Sequence, residues 1–492
     1  MSTTKGLRQK ATSGIVWVSI QRIATTAITF ISDIILARLL LPYDFGCIEM
    51  LAIFMLLSET MVNGGFGSAL IQKKKPTQED YSTIFYWNLG MAAVLYVVLF
   101  FCAPVIARFY KIPLLCSVLR VQGLVLFFYA FNLIQANQLK KQFRFKITAV
   151  VSIIVSTISL GVTIALAYNG FGVWSLVVKN LIASGLTSII FWFYVKWRPS
   201  LVFSLESFKE LFGFGFYMFL SHLVTAFSTK LQGLLIGKVY SPSMMGYYSK
   251  ASGTESHAST TLSHILDQVT YPLYAEAQDN LQRLGGIVKR LAMSLSYIIF
   301  PLMFILLLVA KPMFVLLYSE KWLPSVPYFQ VLCFAGLAQC LQSVNFQTIS
   351  AIGKSKVTFV WTMVKRGVGI ACMVGGLAFF GMKGILAGAV FNAWFAYFVN
   401  MGLVSKHIGY KWHRQLLDLF PVLAAAVVCA GLSYLCGRVL HFDMYLDGIV
   451  KMLVYAVLYL GWSFAFKPEA FLNFKDIVVP LFSKLKKVKN NQ

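Results

Sequence analysis

Residues 13–46 read SGIVWVSIQRIATTAITFISDIILARLLLPYDFG: a long apolar run, a basic residue near its end, then a proline turn into the next apolar run. Two hundred residues later, 213–246 read GFGFYMFLSHLVTAFSTKLQGLLIGKVYSPSMMG. Thr25 aligns with Thr225, Ile35 and Leu36 with Leu235 and Ile236, and Arg38 with Lys238. Pro42 then aligns with Pro242, and Gly46 with Gly246. Each run is long enough to cross the ~30 Å hydrocarbon layer, which takes about 20 apolar residues. A recurring unit of this kind is the mark of an internal repeat. Further along, the offset drifts, and Lys146 pairs with Lys356 ahead of the next equivalent helices.

Working outward from that unit, apolar segments predict fourteen transmembrane helices. They lie at 13–39, 45–71, 83–107, 114–137, 147–168, 172–195, 210–237, 244–274, 288–310, 325–349, 357–380, 384–404, 416–437 and 446–466. The expected fold is an all-α polytopic membrane protein with two six-helix lobes and two extra carboxyl-terminal helices. Six spans per copy is even, so both copies enter the membrane from one side, related by a pseudo-two-fold along the membrane normal. The expected division is an N-lobe at 1–205, a C-lobe at 206–408, and the last two spans with a basic tail at 409–492. Residues 199–211, with Phe203, Leu205, Phe208 and Leu211 among polar neighbours, read as an interfacial linker.

Composition agrees. Of 492 residues, 58% are hydrophobic and 12% charged, against about 25% charged in soluble domains. The net charge of +25 is unevenly spread. Lys5, Arg8 and Lys10, then Lys73–Lys75, then Lys140, Lys141, Arg144 and Lys146 fall in alternate loops, and the pattern persists to Lys484–Lys489. The positive-inside rule makes that face, with both termini, cytoplasmic. The weak span 244–274 carries Lys250, Glu255, His257, His264 and Asp267, yet omitting it would invert every later loop. The charge therefore implies topology and attraction to anionic lipid, with no nucleic-acid partner. The first apolar run is too long for a cleavable signal and reads as an anchor. The eight cysteines sit in or beside apolar spans without CxxC or metal-ligand spacing, so no metal is expected.

Ionisable residues inside spans normally face a cavity or a partner. Arg22 and Asp33 stand eleven residues apart, near three turns and one helix face. Glu59 is mid-span; His222, Lys230 and Gln232 lie in the seventh span; Lys250, His257 and His264 follow at seven-residue intervals in the eighth. Arg366 falls near mid-bilayer, and Arg120 and Lys179 toward outer ends. Plainer roles stand beside a binding role: an Arg22–Asp33 structural pair, snorkelling of Lys179 and Lys230, hydrogen-bonded packing of His257 and His264, and close helix packing at Asn63–Gly67. There is no P-loop, GxSxG or HExxH, and no soluble catalytic domain, so the chain is not expected to be an enzyme.

Three stretches resemble a known family: ARLLLPYDFGCIEM, NGGFGSALIQKKKPTQEDYSTIFYWNLG and YSEKWLPSVPYFQVLCFAG. They resemble the Wzx-like polysaccharide-transporter flippases, in the WzxC-like branch, of the multidrug/oligosaccharidyl-lipid/polysaccharide exporter superfamily. The resemblance implies a central cavity with alternating access. It implies a substrate, an oligosaccharide repeat unit on undecaprenyl diphosphate, moved to the periplasmic leaflet of a bacterial inner membrane for capsule, exopolysaccharide or O-antigen synthesis. On that expectation Arg22, Lys230, Lys250, Arg366, Arg120 and Lys179 meet the diphosphate, and His222, His257, His264 and Gln232 line a polar cavity. Asp33, Glu59 and Glu255 are the candidates for coupling to H+ or Na+, with no other cofactor. Expected partners are membrane lipids and polysaccharide polymerase or export machinery, and the expected state is a monomer. The alternatives are a cation-coupled drug antiporter of the superfamily's multidrug branch and a non-transporting membrane subunit of a glycan assembly complex.

Overall fold

A computed structural model describes residues 2–277, 279–440 and 442–476. For 2–13, 15, 214, 260–273, 275–276 and 355 it describes the backbone alone. The basic tail beyond 476 lies outside the described residues, as do the side chains of His264 and Asp267.

The described chain is almost wholly helical. The first eight helices are α1 (Ser2–Leu39), α2 (Pro42–Asn63), α3 (Phe66–Gln72), α4 (Gln78–Tyr110), α5 (Leu114–Gln122), α6 (Val125–Lys141), α7 (Phe145–Tyr168) and α8 (Val173–Tyr194). Then come α9 (Leu205–Val239), α10 (Pro242–Ala277), α11 (Leu281–Leu308) and α12 (Ala310–Tyr318). A 3₁₀ turn (Glu320–Ser325) leads to α13 (Val326–Ala351), α14 (Ser355–Ile408), α15 (Trp412–Leu440) and α16 (Met444–Phe466).

Among the described residues, eleven helical stretches are long and apolar enough to cross a membrane. One of them, Lys356–Ile408, holds two of the expected spans. Gly381 breaks it at φ 61°, ψ −137°, a conformation open almost only to glycine. Its arms then fold back: Gly376 abuts Gly384, Gly388 abuts Cys372, and Lys365 reaches Asn400. A twelfth candidate is α9, if Leu205–Gly213 and Gly215–Val239 form one span bent by 56°. The helix α10, which carries the polar residues noted in the sequence, is not among these candidates.

Local chemistry explains the helix ends. Pro42 supplies the fixed φ suited to a first helical position, and the Asp44 carboxylate accepts from the Leu41 N–H at 2.8 Å. Gly64 ends α2 in the left-handed conformation, φ 55°. In the stretch KKKPTQED, Thr77 and Asp80 form a reciprocal cap, with Asp80 N donating to Thr77 Oγ1 at 3.1 Å and Thr77 N to Asp80 Oδ2 at 2.8 Å. Lys73 pairs with that buried Asp80 at 3.0 Å and with Glu210 at 2.8 Å. Partial burial pulls Lys73 down, but these carboxylates outweigh it and hold its pKa above the ordinary lysine value. Lys141 donates to the carbonyls of Leu70 and Lys73, satisfying the exposed end of α3.

Two compact units emerge, one ending at Gly246 and one starting at Tyr247. In the first, α1 packs on α7, α7 on α8, α4 on α6, and α2 along α9. Its core gathers Phe66, Phe85, Ile84, Ile134 and Leu211. The segment 199–211 is docked on this unit: the N–H groups of Ser200 and Ser204 donate to Ser82 and Thr83, and the Phe208 ring packs tilted against Trp87, centroids 4.6 Å apart. Leu211 is buried, so this segment is less a free interfacial linker than the sequence suggested. In the second unit α13 packs on α11 and α14, and α15 and α16 pack on α11. Tyr297 donates to Ser463, and Lys289 bridges Asp418 and Glu469, fastening the last two spans to α11. Many large apolar side chains, such as Phe101, Phe193 and Phe379, point outward, as lipid-facing residues should.

The repeat read from the sequence is realised at one crossing in the first unit. A Cβ on Gly46 would overlap the Pro242 carbonyl oxygen, and a Cβ on Gly246 would overlap the Pro42 carbonyl oxygen. The two proline turns thus meet reciprocally, each glycine making room for the other copy's proline.

Candidate functional site: a polar cavity between α2 and α9

The α2–α9 seam is built from small residues at its ends. Gly46 and Gly246 close one end, Gly233 lies against the Glu49 backbone, and Gly65 lies against Gly215 toward the other. Between them the helices hold a cavity of about 270 Å³. Glu59, Thr60 and Asn63 line it from α2, His222, Thr225 and Thr229 from α9, with Tyr129 of α6 and Phe219 closing the wall. Spacing places these groups: Thr225 and Thr229 are one turn apart, as are Glu59 and Asn63, so each set shares a helix face.

Of the residues singled out from sequence, Glu59 and His222 meet in this cavity. Gln232 lies on the same helix but does not line it. The cations are dispersed. Lys230 forms an ion pair with Glu49 at 3.0 Å, both about one-third exposed. Lys179 donates to Ser32 Oγ at 2.9 Å and feels the Asp33 carboxylate. Arg120 stacks on Phe100, 4.1 Å from the ring centroid, and donates to its carbonyl. Arg22 is exposed on α1, and eleven residues of helix put about 16 Å of rise between it and Asp33.

In the second unit, Lys250 is 6% exposed and sits 5.0 Å and 5.2 Å from the ring centroids of Tyr318 and Trp322. Those rings belong to the YSEKWLP stretch, which folds into the end of α12 and the 3₁₀ turn. Glu255 is buried against Gly336 of α13. His257, half-buried, lies on the same helix as Glu255. Lys365 is buried and donates to Asn400 Oδ1 at 2.8 Å, while its neighbour Arg366 is half-buried with no hydrogen bond from its guanidinium to the described residues.

Sequence reasoning missed Tyr129, Thr60, Thr225 and Thr229. A threonine in a helix usually bonds its own backbone, so nothing in composition marks it as cavity-lining. Asn63 was noticed only as a packing residue. Among the described residues no group of three or more His, Cys, Asp or Glu side chains could hold a metal ion.

Comparison with known proteins places this architecture. The chain is 23% identical over 449 residues to the lipopolysaccharide biosynthesis protein WzxC of Escherichia coli, covering 88% of this chain and 89% of that protein. It is 24% identical over 454 residues to the succinoglycan biosynthesis transport protein ExoT of Rhizobium meliloti, covering 90% and 89%. Among solved structures, the lipid II flippase MurJ in its inward closed conformation superposes with a TM-score of 0.75. That match covers 92% of this chain and 98% of MurJ at 15% identity, so it establishes a shared fold. Residues 35–327 match the model of the polysaccharide biosynthesis protein family, and the chain belongs to that family.

Proposed function

We propose that the chain flips undecaprenyl-diphosphate-linked oligosaccharide repeat units from the cytoplasmic to the periplasmic leaflet by alternating access. It is a membrane transport protein of polysaccharide biosynthesis, not an enzyme. The observation that carries the reading is a polar, acid-bearing cavity among membrane helices, in a chain of this family. Such a cavity is costly in a merely structural bundle, because buried polar groups want partners. In this reading the protein resides in the cytoplasmic membrane with both termini inside, acts as a monomer, and passes its product to polymerase or export machinery.

The diphosphate would be met by the cations outside the cavity. Arg366 is best placed for it, since its guanidinium has no bonded partner among the described residues, and guanidinium grips phosphate oxygens bidentately. Arg22 is also open, whereas Lys230, Lys250, Arg120 and Lys179 would first leave their present partners. Glu59, in the cavity, and Glu255 and Asp33 are the carboxylates that could load a proton or sodium ion in one state only.

Deletion of the gene, with quantification of lipid-linked saccharides in membrane extracts, tests the function. Accumulated complete repeat units with lost surface polymer are expected. Unchanged lipid intermediates with normal surface polymer would remove the reading. Transport that persists after both ion gradients are collapsed would remove the coupling.

A further inference from the structure

The connector between α6 and α7 and the one between α13 and α14 hold equivalent places in the two copies, at the offset that pairs Lys146 with Lys356. Each turns through one left-handed residue: Phe143 at φ 56° in the first copy, Gly353 at φ 74° in the second. The Phe143 N–H donates to Lys140 O at 3.1 Å, and the Gly353 N–H to Ser350 O at 3.2 Å. The next residues also match, Arg144 at φ −85°, ψ 49° and Lys354 at φ −80°, ψ 47°. Glycine adopts a left-handed turn freely, whereas a bulky side chain is strained in it. Of the four non-glycine residues at positive φ among the described residues, only Phe143 has an apolar side chain.

Strain of this kind persists where something beyond the turn requires the side chain. Burial within the protein does not require it, because the Phe143 ring is 46% exposed and meets Phe145 edge-on, centroids 6.0 Å apart. Its neighbours are the ones seated on α1: Phe145 lies against Gly14, and Lys146 over the Trp17 ring at 5.4 Å from its centroid. Connectivity fixes where Phe143 stands. One candidate span ends at Lys141 and the next begins at Phe145, so a connector this short stays at the membrane boundary. Lys140 and Arg144 flank the ring, exposed, with no hydrogen bond or ion pair from their side chains to the described residues. Neither α6 nor α7 contains an acidic residue.

We infer that the α6–α7 connector is an anchor for anionic membrane lipid, with Phe143 in the boundary between headgroups and acyl chains and Lys140, Arg144 and Lys146 on the headgroup phosphates. Apolar aromatic side chains settle at that boundary when basic residues accompany them, and each basic residue near the surface adds attraction to anionic lipid. The strain in the turn is then offset by burying the ring in the bilayer. The α13–α14 connector keeps Lys354 and Lys356 but has glycine in place of the ring, so the anchor is confined to the first copy. An acidic protein would match the cations, but it leaves unexplained an apolar ring held at the membrane boundary. The inference concerns bulk membrane lipid and goes beyond the flippase reading, from which it takes only the cytoplasmic side of the connector.

The test uses the full chain in nanodiscs of phosphatidylcholine doped with a photoactivatable phosphatidylglycerol or a photoactivatable phosphatidylcholine, with labelled peptides mapped by mass spectrometry. Phosphatidylglycerol should label 140–146 in preference both to the 351–356 connector and to labelling by phosphatidylcholine. Replacing Lys140, Arg144 and Lys146 by glutamine should weaken that labelling about fivefold per charge. Phe143→Gly should weaken it by a similar factor, about fivefold, since close to half of the ring's transfer free energy is at stake. Stability should move the other way. In pure phosphatidylcholine Phe143→Gly relieves the turn and should raise Tm by about 2–4 °C, while losing the further rise that phosphatidylglycerol gives the wild type. A lower Tm for Phe143→Gly in both lipids would make the ring a packing residue and overturn the anchor. Equal labelling by the two lipids would overturn it in favour of an acidic protein partner, and labelling that survives every substitution would overturn it as well. Export of polysaccharide is not the readout, so failure of the anchor leaves the flippase reading untouched, and failure of the flippase leaves the anchor.

Discussion

Replacing Gly46 by alanine tests the helix crossing most directly. The added methyl would sit on the Pro242 carbonyl, which is backbone and cannot swing aside. The two turns must then separate, and overpacking of this kind costs about 1–3 kcal/mol. For a unit of this size each kcal/mol lowers Tm by about 2–4 °C, so a fall of several degrees is expected. Gly246→Ala should cost the same, because its methyl would meet the Pro42 carbonyl in the mirror arrangement. The double variant should cost less than the sum, since one displacement accommodates both methyls; contacting sites deviate from additivity by about 0.5–3 kcal/mol. Gly90→Ala is the control. It lies in α4 with no atom within 4 Å of the new methyl, and removing a mid-helix glycine should leave Tm unchanged or slightly raised. The assay is thermal unfolding of the purified protein in nanodiscs, read by near-UV circular dichroism. Strict additivity, or single variants indistinguishable from wild type, would refute the reciprocal contact.

Other outcomes follow from named contacts. Asp80→Ala removes a reciprocal helix cap and leaves Lys73 with Glu210 alone; a loss of about 1–3 kcal/mol is expected, measured as the same Tm shift. Arg366→Ala should abolish surface polymer while the protein still accumulates in membranes; normal export would make this arginine structural. Glu49→Gln should impair export by leaving Lys230 unpaired, and Glu49→Gln with Lys230→Met should recover much of it if the pair is structural. No recovery would assign Lys230 to substrate. Thr77→Ala should weaken the start of α4 by about 0.5–2 kcal/mol, with little change in export.

The membrane character, the helical class, the repeat and the family were legible without a structure. They depend on properties carried along the chain: the length of apolar runs, the alternation of basic loops, and recurring turn residues. Pro42, Gly46, Pro242 and Gly246 could be aligned because turn chemistry is local. What they do to one another could not be read, since only the folded chain brings residues two hundred positions apart into contact. The same holds for the charges. Sequence showed that Lys230 and Lys250 lie in spans, yet their partners come from elsewhere in the fold: Glu49 for Lys230, Tyr318 and Trp322 for Lys250. Sequence emphasised cations as the substrate-facing groups, because an intramembrane charge is conspicuous. The cavity is instead lined by threonine, asparagine and tyrosine around Glu59 and His222. Neutral polar residues leave no periodic signature in an apolar helix, so only tertiary packing, by turning their faces toward one another, decided that they form a site.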